Sequence, residues 1–283
     1  MHFSIGHVLE LIDATILNPW ATILLSVALH LFTESKLSIR PDTASLLGHR
    51  LGPVPDLQSK TLKLVAAGVL LRINRALSSR ALNNGTSARF DGCKEIVLVT
   101  GAAGGIGAEA AQRFAKRGSK VVVLDVLPLT YPAPFLPSMV KENHGHFLIT
   151  ASQTAYVATA GVTDYAATKA AALAIYEGLQ TELKHIYKAP AVRVSVINPS
   201  AVKTNMFNGI KAPSNFLMPR LSPADVGQRI CEIVWSGRAQ NVMIPASSYI
   251  AAPTRCLPDW LRVGFQDGGA DVMTELRPHQ PLK

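Results

Sequence analysis

Ile96-Val-Leu-Val-Thr100-Gly101-Ala-Ala-Gly104-Gly105-Ile106-Gly107 decides how this 283-residue chain folds. The first five residues, apolar and mostly β-branched, read as a buried strand; Gly107 to Lys116 reads as the helix after the turn. Glycines in such a turn let backbone amides approach an anion held at the positive end of the helix, which is what a pyrophosphate needs. A second buried strand, Lys120 to Asp125, ends in a carboxylate 24 residues after Gly101, placed to bond the hydroxyls of an adenosine ribose. The same carboxylate repels a 2′-phosphate, so NAD is favoured over NADP.

Strands and helices continue to alternate. His146 to Thr150 is a third strand, Tyr165 to Lys184 a long helix and Val192 to Ile197 a fourth strand. Pro223 to about Trp235 is a further helix and Gln240 to Ile244 a last strand. This order predicts an α/β protein with a Rossmann-like, doubly wound parallel sheet. At the end of the third strand stands Ser152, whose hydroxyl can hold a reacting oxygen. Tyr165 and Lys169 are four apart and share one helix face, so the ammonium is expected to lower the pKa of the phenol toward a value useful for proton transfer.

On these residues the stretch from 94 to about 262 resembles the short-chain dehydrogenase/reductase family. Thr100-Gly101-x-x-x-Gly105-Ile106-Gly107 is similar to its cofactor motif, and Ser152 with Tyr165-x-x-x-Lys169 to its catalytic set. Asn198-Pro199-Ser-Ala-Val-Lys-Thr204 is similar to the loop that closes over nicotinamide, with Ser200 in place of the usual glycine. The resemblance implies that Tyr165 is the general acid/base, that Lys169 holds the ribose and tunes Tyr165, and that Ser152 orients the carbonyl or alcohol. It also implies cofactor contacts from Thr100, Gly101, Gly105, Ile106, Gly107, Asp125, Tyr165, Lys169, Pro199 and Thr204. Phe135 to His146 and Leu257-Pro-Asp-Trp-Leu261 resemble the membrane-bound retinol and hydroxysteroid dehydrogenase branch, which acts on lipid alcohols and ketones.

One interval departs from the family. Only nineteen positions separate Val126 from Gly145, and Pro128, Pro132, Pro134 and Pro137 crowd the first part, leaving room for one short helix over about 137 to 143. The family carries two further strands, an Asn-Asn-Ala-Gly motif, a helper asparagine and most of a long helix there. Judged against βαβ units of about 30 residues, the interval reads as an internal loss of about 60 to 70 residues, from a skipped exon or a faulty gene reading. If the first and third strands then pair directly, Ser152 and Tyr165 shift toward the glycine loop by about 4.8 Å. Such a shift impairs hydride transfer, so an inactive membrane-bound nucleotide-binding remnant stands as the alternative to an active enzyme. The shortened helix also weakens the homodimer that the family commonly forms.

Residues 1 to 93 differ in kind. Ala14 to Thr33 carries no charge and reads as a borderline membrane-spanning helix, with Lys36, Arg40, Arg50, Lys60 and Lys63 after it keeping the remainder cytosolic. It makes a poor signal peptide, since no Lys or Arg precedes it. Between Asp56 and Asp91 lie six basic residues and no acidic one; Leu62, Val65, Ala66, Val69, Ile73 and Leu77 fall on one side of a helix, and Lys60, Lys63, Arg72 and Arg75 on the other. A basic amphipathic helix over about 58 to 82, suited to anionic lipid, is expected. Asn84-Gly85-Thr86 reads as a turn at the domain boundary, and 263 to 283 as a tail.

Hydrophobic residues make up 48% of the chain and charged ones 17%, which excludes wholesale disorder and suits some membrane contact. The resemblance to the membrane-bound branch implies a small hydrophobic substrate and a membrane such as the endoplasmic reticulum or a lipid droplet. The formal charge of +9 is spread along the chain without basic-aromatic interleaving, which argues against nucleic acid. Cys93, Cys231 and Cys256 are far apart and fit a reducing compartment. His144-Gly-His146 lacks a third ligand at useful spacing, so no metal is expected, and no Gly-x-Ser-x-Gly points to a hydrolase.

Overall fold

The computed structural model describes residues 5–15, 17–34, 54–86, 89–92, 94–100, 104–124, 136–204 and 218–270. The chain divides into two compact units, residues 7–78 and residues 79–283 with the first six residues.

In the smaller unit, α1 spans Ile5–Ala14, α2 Pro19–Glu34, and α3 Val54–Asn83, whose last turn belongs to the larger unit. Arg75 Nη1 donates to Asp13 Oδ2 at 2.8 Å. Pro19 is the first residue of α2, as its missing N–H and fixed φ favour. The spanning helix expected over 14 to 33 is thereby corrected: α2 has 16 residues, about 24 Å of rise against about 30 Å of hydrocarbon. Among the described residues no helix is long and apolar enough to cross a membrane. The helix expected over about 58 to 82 lies within α3. Leu62, Val69, Ile73 and Leu77 of its expected apolar side are exposed, as is Leu71 on the basic side.

The larger unit is built as a parallel α/β layer structure. Its elements run β1 (Ile96–Thr100), α4 (Gly105–Lys116), β2 (Lys120–Leu124), α5 (Leu136–Glu142), β3 (His146–Thr150), α6 (Thr163–His185), β4 (Arg193–Pro199), α7 (Pro223–Trp235), β5 (Asn241–Ile244) and α8 (Asp259–Asp267). β1 pairs with β2 from Ile96 opposite Lys120 to Thr100 opposite Leu124. β4 lies between β3 and β5, with His146 opposite Arg193 and Ile197 opposite Val242. All these pairs are parallel, but they form two sheets, β1-β2 and β3-β4-β5.

The direct pairing of β1 with β3 entertained above does not occur among the described residues. Both sheets pack against helices α4 and α7. Val97 and Val121 of one sheet and Leu148, Ile197 and Val242 of the other pack into one core with Ala110 and Phe114 of α4 and Val226, Ile230 and Ile233 of α7. The two helices meet closely: a Cβ added at Gly227 would stand 2.7 Å from Glu109 Cβ and 3.2 Å from Ala110 N. The Cys231 thiol donates to the Ala110 carbonyl at 3.7 Å, and Phe114 meets Trp235 edge-on at 6.0 Å. Both sheets thus contribute to one core beneath this helix pair.

α7 starts where the sequence specifies it, with Pro223 at its first turn and a capping box between Ser222 and Asp225. On the opposite face, Leu173, Tyr176, Leu179 and Leu183 of α6 and Leu136 of α5 cover β3 and β4. The end of α3 is stitched to this unit by Asn83, which accepts from Ala239 N at 2.7 Å and donates to Ala239 O at 3.3 Å. Asn84 and Gly85 follow with positive φ, the turn expected there.

Candidate active site

The carboxyl ends of parallel strands are where an open α/β sheet gathers ligands and catalytic groups. Ser152 lies two residues beyond β3, buried, its Oγ donating to the Pro199 carbonyl at the end of β4 at 3.3 Å. The same oxygen accepts from Thr154 N, capping the short 3-10 turn Gln153–Ala155. Tyr165 enters in the first turn of α6, where its phenol is hydrogen-bonded to Ser152. Lys169, one turn later, stands with its Nζ 5.5 Å from the centre of the Tyr165 ring and donates to the Thr150 carbonyl at 2.9 Å. The three side chains proposed from spacing thus share one corner.

Their electrostatics differ from the sequence expectation. Burial pushes the Tyr165 phenol above its usual value, the Ser152 hydrogen bond offsets only part of this, and the Lys169 charge is not among the causes. Burial also lowers the Lys169 pKa. The ammonium is aimed at a backbone carbonyl rather than at the phenol oxygen, so the anticipated lowering of Tyr165 is corrected to a rise.

For the nucleotide, the first turn of α4 carries no side-chain cap, leaving its amides open to an anion. Gly105 has φ +56, accessible to glycine at little cost, and a Cβ there would meet Thr204 Cγ2 at 3.6 Å. Thr204, from the segment after β4, therefore borders the start of α4 together with Gly105. Ile106 is partly buried against the α4–α7 core, Gly107 continues the helix, Thr100 is exposed at the end of β1 and Pro199 ends β4. The Ser200 hydroxyl is buried without a protein partner. These features fit a dinucleotide: open helix amides, a glycine turn that no Cβ crowds, and a free buried hydroxyl beside the strand ends. Gly101 and Asp125 lie outside the described residues.

Sequence patterns missed two things here. Buried Asn198 donates to Asn241 Oδ1 at 3.0 Å and to the Val242 carbonyl at 3.3 Å, tying β4 to β5 below the site. The Thr150 carbonyl holds Lys169, and a backbone acceptor has no residue signature at all. As for metal, the described residues hold no cluster of three His, Cys, Asp or Glu. His146 Nε2 instead bonds Ser195 Oγ at 2.8 Å, and burial with the Arg193 charge holds its pKa down to about 3.

A family model described as short chain dehydrogenase matches residues 95–130 and 128–215. Dehydrogenase RED2 of Cochliobolus heterostrophus is 27% identical over 209 residues, covering 78% of its length and 48% of this chain. Since 48% of 283 residues is about 136, about 70 positions of that relative stand opposite no residue here. Retinol dehydrogenase 10-B of Danio rerio is 42% identical over 77 residues, 27% of this chain and 23% of the relative. Human retinol dehydrogenase 10 is 36% identical over 91 residues, 31% and 26% respectively, so this chain spans about a quarter of those two relatives. Among solved structures, a short chain dehydrogenase from Burkholderia cenocepacia J2315 in complex with NADP superposes with a TM-score of 0.50 at 18% identity, over 63% of this chain and 99% of that one. Over residues 95–215 the chain matches the short-chain dehydrogenase/reductase family, whose members are oxidoreductases acting on CH–OH groups.

Proposed function

We propose that this protein is an NAD-linked oxidoreductase that interconverts a hydrophobic alcohol and its carbonyl, working at a membrane surface. One observation carries the chemistry: the Tyr165 phenol hydrogen-bonded to Ser152 at the carboxyl ends of β3 and β4, with Lys169 against the ring. Nicotinamide, when bound, supplies or takes the hydride. The Ser152 hydroxyl holds the substrate oxygen, and Tyr165 gives that oxygen a proton in reduction and removes it in oxidation. Thr100, the Gly101–Gly107 turn, Pro199 and Thr204 would hold the nucleotide, and the Asp125 carboxylate favours NAD. Likeness to retinol dehydrogenases over short stretches supports a retinoid- or steroid-like substrate. The exposed Trp20, Leu24, Leu62 and Leu70 of α2 and α3 support attachment to a lipid surface.

A second reading, a remnant with impaired turnover, is favoured by the diverted Lys169 and by the division into two sheets. Both readings include an internal loss near Val126, supported by the break of the family match at residues 128–130 and the unmatched positions of the fungal relative. Comparing transcript with genomic sequence tests that loss: no coding material at the junction contradicts it. For the activity, NADH fluorescence and turnover on retinoid and steroid panels are measured with Tyr165→Phe. The enzyme reading predicts retained NADH binding and about 10²- to 10⁴-fold slower turnover in the variant. Equal turnover of both proteins contradicts it, and tight NADH binding without turnover by the unaltered protein favours the remnant. Because the folded Tyr165 pKa is raised, the phenolate that accepts a proton grows only as pH climbs beyond the usual tyrosine value of about 10. Alcohol oxidation should therefore keep rising through pH 9 to 10, whereas a plateau near neutrality would contradict a Tyr165 base.

A further inference from the structure

The loop between Ser152 and α6 is fastened from outside by the 3-10 stretch Ala246–Cys256 and by α8. Arg255 Nη2 donates to the Ala155 carbonyl at 2.7 Å, and its Nε donates to the Tyr156 carbonyl at 3.2 Å. Ser248 Oγ donates to Gln153 Oε1 at 3.3 Å, and Gln266 Nε2 of α8 donates to the Ala158 carbonyl at 2.9 Å. Ala155 and Tyr156 close the 3-10 turn Gln153–Ala155, where the last carbonyls run out of partners within the turn. One guanidinium fork serves both, a geometry that an ammonium cannot copy. Ala155 is 0% exposed, so removing the guanidinium leaves a buried acceptor to be satisfied in some other way.

The same turn fixes the Ser152 hydroxyl. Thr154 N donates to Ser152 Oγ at 3.3 Å, and Ala155 N donates to the Ser152 carbonyl at 3.0 Å. A serine hydroxyl has one proton to give and two lone pairs to offer. Its proton goes to the Pro199 carbonyl and one lone pair to Thr154 N, which leaves the other for the Tyr165 phenol. To hold a carbonyl substrate, Ser152 must turn its proton away from Pro199, and the Thr154 amide is then the contact that keeps Oγ in place. Any looseness in the turn passes directly to that oxygen.

We propose that Arg255 is a positioning residue: by bridging the Ala155 and Tyr156 carbonyls it locks the turn whose Thr154 amide holds the Ser152 oxygen beside Tyr165. Gln266 is a second fastening, further along the loop. Arg255 stands 100 residues from Ala155 in the chain, so no local motif reveals it. The effect on catalysis deepens the function proposed above and rests on it; the locking of the turn does not.

The test compares the full chain with Arg255→Ala and Arg255→Lys, by hydrogen exchange followed amide by amide and by turnover with NADH on the retinoid and steroid panels. Arg255→Ala should speed exchange at Thr154, Ala155 and Tyr156 about tenfold while Val194 to Ile197 of buried β4 keep their rates. Arg255→Lys, which can reach one carbonyl but not bridge two, should fall between. In turnover, Arg255→Ala should lower kcat about tenfold or more with the KM for NADH unchanged, and the loss should vanish in a Ser152→Ala background, because both residues act through one oxygen. Unchanged exchange at Thr154 in Arg255→Ala overturns the proposal. Equal acceleration in β4 overturns it too, since Arg255 would then hold up the whole β3–β5 half. A kcat loss of the same size with and without the Ser152 hydroxyl overturns the catalytic part. Should the unaltered protein turn nothing over, the dehydrogenase reading fails, while the exchange rates still decide whether Arg255 locks the turn.

Discussion

Under the proposed function the two sheets of the larger unit would carry different halves of one task, and they are packed differently. β4 is buried along its whole length between α6 and the α4–α7 layer, and the residues that would move a proton stand at its end and that of β3. β1 and β2 are covered on the α4 side by way of Val97 and Val121, yet Ile96 is 68% and Val122 46% exposed. A strand pair with one solvated apolar face contributes little stability of its own. The catalytic half is therefore expected to be a stable body, and the nucleotide half to depend on the α4–α7 junction and on its ligand.

Breaking the junction should have the largest effect. Phe114 is 2% exposed and sits between Phe90 and Trp235, so Phe114→Ala should cost about 3 to 5 kcal/mol and melt β1–α4–β2 before β3–β5 in a denaturant series followed by hydrogen exchange. A single transition at unchanged midpoint would show that the junction does not hold the two halves. Gly227→Ala forces a methyl group against the Glu109 and Ala110 backbone and should cost about 1 to 3 kcal/mol, again with earliest loss in the nucleotide half.

The catalytic half has its own acid weakness. His146 is neutral in the fold, with a pKa of about 3, whereas unfolded it titrates near 6.5. The folded pKa is the lower, so the unfolded chain binds the extra proton, and stability present above pH 6.5 is lost as pH falls toward 3. Between pH 6.5 and 5 the loss should be about 2 kcal/mol, read from urea midpoints, and His146→Gln should flatten it. An unchanged slope in that variant would place the acid sensitivity elsewhere. The smallest effect should come from the solvated face: Ile96→Thr should change stability by about 0.5 kcal/mol or less, whereas Val196→Thr, which buries a hydroxyl in β4, should cost about 1 to 3 kcal/mol. Equal costs would erase the contrast between the halves.

Much of this was legible before any coordinates. The glycine turn, the five strands and the start of α7 are local patterns, set by β-branching, glycine and a capping box that neighbours in sequence complete. Ser152, Tyr165 and Lys169 could be grouped because helix spacing and strand ends constrain them. Three features were not legible, each because a distant contact decides it. The core shared by the two sheets depends on α4 and α7, where Gly227 packs against Glu109 and Ala110, over a hundred residues away in the chain. The rise in the Tyr165 pKa depends on burial, and the position of Lys169 on a main-chain carbonyl.

Hydrogen exchange with and without NADH addresses the division of labour most directly. NADH should slow exchange in β1 and the first turns of α4 by tenfold or more at ten times its Kd, while the amides of buried β4, Val194 to Ile197, should change little. Unaltered exchange in β1 and α4 at saturating NADH, or protection confined to β4 and β5, would contradict the assignment of the nucleotide to the half-covered sheet.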